Sequence, residues 1–154
     1  MAKVEIDESL DIDSLLAELP IDMRNKSLRK ATSRAGRVVM NAYKERVPVG
    51  DNRHKPELPS LKSSIDMRIR DYADGRRFVA VVGAKWPDGA HAHLVEAGYR
   101  VRARGPAGGG SPGAFTGAKI KGKKPLAEAV DKTAKQQERA IIESIVEDIK
   151  KRGG

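Results

Sequence analysis

His91 and His93 stand two residues apart with Glu96 close behind, in the segment AHAHLVEAG, and His54 is the only other histidine of the chain. Imidazoles and a carboxylate at short spacing are the raw material of a metal site or of acid-base catalysis. The spacing matters. Two residues along a helix separate side chains by about 200°, so His91 and His93 cannot chelate one ion if the segment is helical, whereas strand geometry would permit it. Packing or hydrogen bonding of one histidine is the simpler reading. Glu96 has no partnered carboxylate, no Ser-His-Asp order accompanies it, and the glycine stretch GPAGGGSPG lacks the following Lys-Ser/Thr of a phosphate-binding loop. The chain contains no cysteine, which removes disulfides, thiolate metal sites and cysteine nucleophiles together and fits folding in a reducing cytoplasm. These residues therefore assign no catalytic residue, no cofactor site and no metal site, and a hydrolase built on His91, His93 and Glu96 ranks last among the functional readings.

Charge is the more informative chemistry. The 154 residues carry 30 Lys and Arg against 21 Asp and Glu, a formal net of +9, which favours an acidic partner such as nucleic acid. The distribution is two-ended. Residues 1–22 hold one base, Lys3, and seven acids (Glu5, Asp7, Glu8, Asp11, Asp13, Glu18 and Asp22), leaving a strongly basic remainder. An acidic arm on a basic body suits head-to-tail docking between identical subunits, with Asp7, Glu8, Asp11 and Asp13 as candidate contacts; a solvated tail is the competing reading. From residue 100 to 124 there are seven bases (Arg100, Arg102, Arg104, Lys119, Lys121, Lys123 and Lys124), seven glycines and no acid. This composition predicts a flexible basic loop. Three uses of it stay open: a solvated loop, a contact arm ordered by a neighbouring subunit, or a nucleic-acid surface that binds phosphates with a steep salt dependence. Phe115 is the only aromatic in this stretch, so a base-stacking platform is not expected.

The elements that must position these residues follow from periodicity. Asp13 and Ser14 can cap a short turn through Leu15, Leu16 and Leu19, closed by Pro20. Asp22 is a candidate N-cap for a long helix over residues 23–46, whose apolar and small positions Leu28, Ala31, Ala35, Val38, Val39 and Ala42 fall on one face. Pro48, Gly50, Asp51, Asn52, Pro56 and Pro59 predict a loop. Ile65, Met67 and Ile69 alternate with charged residues as in a half-buried strand, Asp74-Gly75 signals a turn, and residues 78–82 read as its antiparallel partner. Residues 90–97 read as a short helix ending at Gly98, and residues 99–104 as a further strand. Pro125 sits where a second long helix can start, with Leu126, Val130, Ala134, Gln137, Ile141, Ile145 and Ile149 on one face. Aromatics are only 4%, so the core must be aliphatic, with Phe78, Phe115 and Trp86 as its rare large pieces. The expected architecture is an α+β domain over residues 23–150, in which two long helices cover one face of a small antiparallel sheet, with the acidic arm at 1–22 and a frayed tail at 151–154. No window holds 18 apolar residues, and MAKVEIDESL lacks the features of a signal peptide, so neither membrane spanning nor classical secretion is expected.

Four segments in order resemble the small tail-component family of long-tailed double-stranded DNA bacteriophages, the tail-completion or neck proteins. They are the opening helix LRKATSRAGRVVMNAYKERVPVG; LPSLKSSIDMRI, similar to the family's "Leu-x-x-Ser-Ile" start of a strand; VVGAKWPDGAHAHLVEAGYR, similar to a valine-rich strand followed by "His-x-x-Leu-Val-Glu-Phe-Gly-Thr"; and KKPLAEAVDKTAKQQERAI, similar to the "Pro-Phe-Leu-x-Pro-Ala" start of the last helix. The resemblance covers residues 15–150, with Ala97, Tyr99, Leu126 and Glu128 departing from the usual residues. It makes His93, Leu94, Val95, Glu96, Gly98 and Pro125 the structural signature, with Glu96 orienting loop backbone rather than doing catalysis.

What the resemblance implies is a non-enzymatic virion protein of the neck or tail top, assembled in the host cytoplasm. Its subunits would form a ring at the head–tail junction, sixfold to match the tail tube. Its partners would be its own copies, the head-closure or connector proteins and the tail terminator or tube, with genomic DNA nearby in the channel and no membrane. A ring needs two different faces per subunit, and an acidic arm with a basic body supplies such a pair. The alternative is a small basic nucleic-acid-binding accessory protein.

Overall fold

The computed structural model describes residues 12–17, 19–48, 60–72, 77–102 and 115–151. In chain order the elements are α1 (Ile12–Ala17), α2 (Ile21–Arg46), α3 (Leu61–Ser64), β1 (Ile65–Tyr72), β2 (Arg77–Ala84), α4 (Ala92–Ala97), β3 (Gly98–Arg102), β4 (Phe115–Lys121) and α5 (Pro125–Lys150). The class is α+β, as the sequence predicts. The single sheet is not: the strands form two separate antiparallel pairs, β1 with β2 and β3 with β4.

α2 and α5, each of 26 residues, pack lengthwise against each other. They run antiparallel, since Lys30 and Arg34 near the start of α2 form ion pairs with Asp148 and Glu147 near the end of α5, the second at 2.7 Å. Their buried positions are mostly small: Ser27, Ala31, Ala35, Gly36 and Ala42 on α2, with Ala129, Thr133 and Ser144 on α5. Small side chains let two helix backbones approach closely, which explains why the buried face of α5 is turned by about one residue from the apolar stripe read in the sequence. Val130, Ala134 and Ile141 of that stripe are exposed. Thr133 satisfies its hydroxyl by donating to the Ala129 carbonyl at 2.6 Å, whereas the buried hydroxyls of Ser27 and Ser144 find no partner.

α2 begins at Ile21, with Pro20 rather than Asp22 at the N-cap position and Asp22 in the first turn. The amides of Met23 and Arg24 both donate to the Pro20 carbonyl at 2.9 Å. α1 docks against this end through Leu16, which shares a cluster with Ala31 and Ile145. The second half of the acidic segment is thus helical and packed, and residues 1–11 lie outside the described set. At the other end of the long helices, Ala42, Tyr43, Val47, Leu61, Ile65 and Ala129 form the larger core cluster, joined by Val82, Val95 and Leu126.

β1 pairs with β2 from Ile65↔Ala84 to Tyr72↔Arg77. The alternation of β1 puts Met67 and Ile69, opposite Val82 and Ala80, on the face toward α2. The approach is close, because a Cβ at Gly36 of α2 would meet Met67 Sδ and Ala80 Cβ. The outer face carries Asp66, Arg68 and Arg70 opposite Gly83, Val81 and Val79. Trp86 lies beside it, and contrary to the expected core role it is 82% exposed. The predicted turn at Asp74-Gly75, the 48–59 loop beyond Pro48, and His54 lie outside the described residues.

Candidate docking groove

The segment read as a signature builds one joint of the molecule. α4 ends at Gly98, whose φ of 81° with ψ of 178° is a conformation essentially reserved for glycine. A Cβ there would strike the Ile120 carbonyl, and one at Gly122 would strike the Glu96 carbonyl. The end of α4 and the end of β4 therefore meet through main chain, with Lys123 N–H donating to the Val95 carbonyl at 2.8 Å.

Glu96 completes the joint. α5 starts at Pro125, which has no N–H, after Lys124 turns the chain at φ 50° without capping it. The next two amides, Leu126 and Ala127, each donate to one oxygen of the Glu96 carboxylate at 3.1 Å, and the Glu128 amide reaches the Lys124 carbonyl at 3.0 Å. A carboxylate on a helix N-terminus satisfies orphan donors and meets the positive end of the helix dipole. Sequence reading gives Glu96 a backbone-orienting role; the backbone turns out to be the start of α5, 30 residues on. Tyr43 lies in the same neighbourhood: burial first, then the charge of Glu96, raises its phenol above the ordinary tyrosine range.

Above this joint is an open apolar groove of about 320 Å³, lined by Pro48, His91, Leu94, Val95, Tyr99, Ile120, Lys121 and Lys123. Leu94, Tyr99 and Ile120 are 36%, 46% and 46% exposed, and Tyr99 and Ile120 are paired across the hairpin. The other face of the same hairpin sets Arg100 directly opposite Lys119, a like-charge pair that is unfavourable unless an anion lies beside it. β3, through Arg102, is the strand read at 99–104, whereas the far end of the expected basic loop is also strand, β4 from Phe115. Glycine and lysine disfavour strands in isolation, and pairing with β3 overrides that preference.

The candidate residues thus fall into three groups. Lys121 and Lys123 edge the groove, and Arg100 and Lys119 occupy the reverse face of its hairpin. Lys124 forms a turn, and Arg102 ends β3 opposite Phe115, with its side chain outside the described set. Asp13 belongs to α1, with its side chain likewise outside, while Asp7, Glu8, Asp11 and Arg104 lie wholly outside the described residues. His93 donates from Nδ1 to the Ala90 carbonyl at 2.8 Å within its own turn, and His91 sits at the start of α4 on the groove wall. No group of three or more His, Asp or Glu among the described residues is placed to hold a metal ion. No helix among them is long and apolar enough to cross a membrane.

Residues 12–98, more than half of the chain, match the HK97-gp10-like family, described as "Bacteriophage HK97-gp10, putative tail-component". The chain belongs to this tail-component family. No curated protein and no solved structure matches it. The matched segment runs from α1 to the glycine that ends α4, so it contains the signature residues from His93 to Gly98. β3 after Gly98, β4 and α5 lie beyond it, as does the fourth resembling segment at Pro125. Family membership makes the protein a tail-related structural component of a bacteriophage.

The sequence hides the groove because its residues come from four places. Leu94 lies on a short helix, Tyr99 and Ile120 on two strands alternating with bases, and Pro48 just after α2. The available signal is that alternation: Tyr99 between Gly98 and Arg100, and Ile120 between Lys119 and Lys121.

Proposed function

We propose that the protein is a virion assembly protein of the phage neck or tail top that forms a ring at the head–tail junction and contributes to tail completion and head–tail joining. The observation that carries this is the family match over residues 12–98. Two surfaces support it. The groove at α4 and the β3–β4 hairpin exposes Leu94, Tyr99 and Ile120, and α5 exposes Val130 and Ile141 on a separate stripe. Exposed apolar patches rimmed by charge mark protein contacts, and a ring subunit needs two that differ. In this reading the partners are further copies of the chain, sixfold around the channel, and the connector and tail-tube proteins above and below. The chain resides in the virion and, during assembly, in the host cytoplasm, and no catalytic step is part of its work. The test is deletion of its gene from the phage. Free heads and free tails in the lysate, joined on addition of the purified protein, are expected; normal particles without it would overturn the proposal.

A nucleic-acid reading has one observation of its own: the exposed side of α2 groups Lys26, Arg29, Lys30, Arg34 and Arg37 around an open depression. Uptake of duplex DNA with a steep salt slope, abolished by Arg29→Gln and Arg37→Gln, would favour it.

A further inference from the structure

The groove's two kinds of surface, an apolar floor and a lysine edge, specify an occupant with the same two-sidedness. We propose that this occupant is the acidic N-terminal arm of a neighbouring copy, residues 3–10, a contact that rests on the ring reading and gives it a joint.

The arm reads KVEIDESL, with Val4 and Ile6 alternating with Glu5 and Asp7. In extended form such a segment sets Val4, Ile6 and Leu10 on one side, with Glu8 among them, and Glu5 and Asp7 on the other. The groove is its complement: Tyr99 and Ile120 in the floor, with Lys121 and Lys123 at the edge. Val4 and Ile6 seated on the floor leave Glu5 and Asp7 on the arm's other side, beside the lysine edge of Lys121 and Lys123. The lengths agree. Eight extended residues span about 27 Å, and the seven residues of β4 about 23 Å.

The donor is a second copy because arm and groove belong to opposite ends of the subunit. The arm joins the body at α1, whose Leu16 packs beside Ala31 and Ile145, while the groove begins at Pro48 past the other end of α2. The 17 residues of chain from Ala31 to Pro48 amount to about 25 Å at helical rise. A donor at one end and an acceptor at the other is the arrangement of a heterologous, head-to-tail contact.

The chain's lack of cysteine provides a clean test. Full-length Ile6→Cys and Ile120→Cys chains are mixed, oxidised and read by mass on a non-reducing gel, with Leu94→Cys as a second groove position and Val81→Cys, on the outer face of β1–β2, as control. A disulfide between the Ile6→Cys chain and either groove variant, at least tenfold above the Val81→Cys control, is expected. It should drop at least tenfold when the groove chain also carries Lys121→Glu and Lys123→Glu, and return when the arm chain also carries Glu5→Lys and Asp7→Lys. In a chain bearing both Ile6→Cys and Ile120→Cys, a ladder of linked chains is expected. Closure within single chains, or no disulfide above the control, overturns the proposal. Native mass spectrometry of the unmodified chain separates this from the ring reading: a closed oligomer without the disulfide sinks the arm contact and leaves the ring, while the disulfide without a closed oligomer keeps the contact and sinks the ring.

Discussion

The two hairpins have similar strands and opposite situations. In β1–β2 the apolar face of Met67, Ile69, Ala80 and Val82 lies against α2, and the outer face is basic. In β3–β4 the apolar face of Tyr99 and Ile120 looks into an open groove, and the hairpin is tied to the body through the main chain of α4. One hairpin spends its hydrophobic side on folding, and the other holds it out. Alternation in a sequence therefore announces a two-faced strand without saying whether the cover comes from the same chain.

Truncation separates the two most sharply. Ile65, 2% exposed at the base of β1, should cost about 2–5 kcal/mol as Ile65→Ala, whereas Ile120→Ala should change stability by no more than about 0.5 kcal/mol while weakening self-association. Urea denaturation and sedimentation read the two effects; an Ile120→Ala loss as large as that of Ile65→Ala would erase the distinction. Glycines give the next contrast. Gly122→Ala drives a methyl into α4 backbone and should cost about 1–3 kcal/mol, with hydrogen exchange rising across β3–β4 first, while Gly83→Ala on the outer face of β1–β2 meets nothing and should be nearly neutral.

The joint beneath the groove comes third. Glu96→Ala removes the acceptor of two α5 amides and should destabilise by about 1–2 kcal/mol, with Glu96→Gln recovering part of it in thermal melts. Ser27→Ala and Ser144→Ala should instead each raise stability, by up to about 1 kcal/mol, since each deletes a buried hydroxyl that bonds to nothing.

Acid produces the smallest and most regional effect. The Arg34 hydrogen bond holds Glu147 below the ordinary carboxylate range, and the Lys85 side chain, then the Met67 backbone, does the same for Asp66. Carboxyl groups with depressed folded values contribute stability above the unfolded value, about pH 4, and lose it as pH falls through the folded value. The α2–α5 pairing and β1–β2 should loosen on that descent. The strands of β3–β4 contain no acid of their own and should show no such step by hydrogen exchange unless the α4 joint opens.

Much of this architecture is legible in the residues. The α+β class, both long helices, the first hairpin and the short helix closed by Gly98 follow from period and punctuation. What escaped is what only tertiary contact decides. The buried face of α5 runs through Ala129, Thr133 and Ser144 because close helix packing selects small size over hydrophobicity, so the more apolar Val130 and Ile141 lie outside. β4 looks like linker because Gly117, Lys119 and Lys121 are poor strand formers, and only its partner strand holds it. Trp86 looks like core by its type and is the most exposed of the large apolar residues described. Of the site, the segment from His93 to Gly98 stands out only through the family resemblance, which also implies an orienting role for Glu96. The N–H donors that Glu96 accepts from, 30 and 31 residues away, and the groove above them, do not stand out.

Gly98 and Gly122 attach the second hairpin to the body by main chain, at two points where no side chain takes part. The hairpin's outward residues can then be exchanged one at a time without loosening the mount. Two glycines thus mount the hairpin on a fixed handle, leaving the residues it holds out free of any part in the mounting.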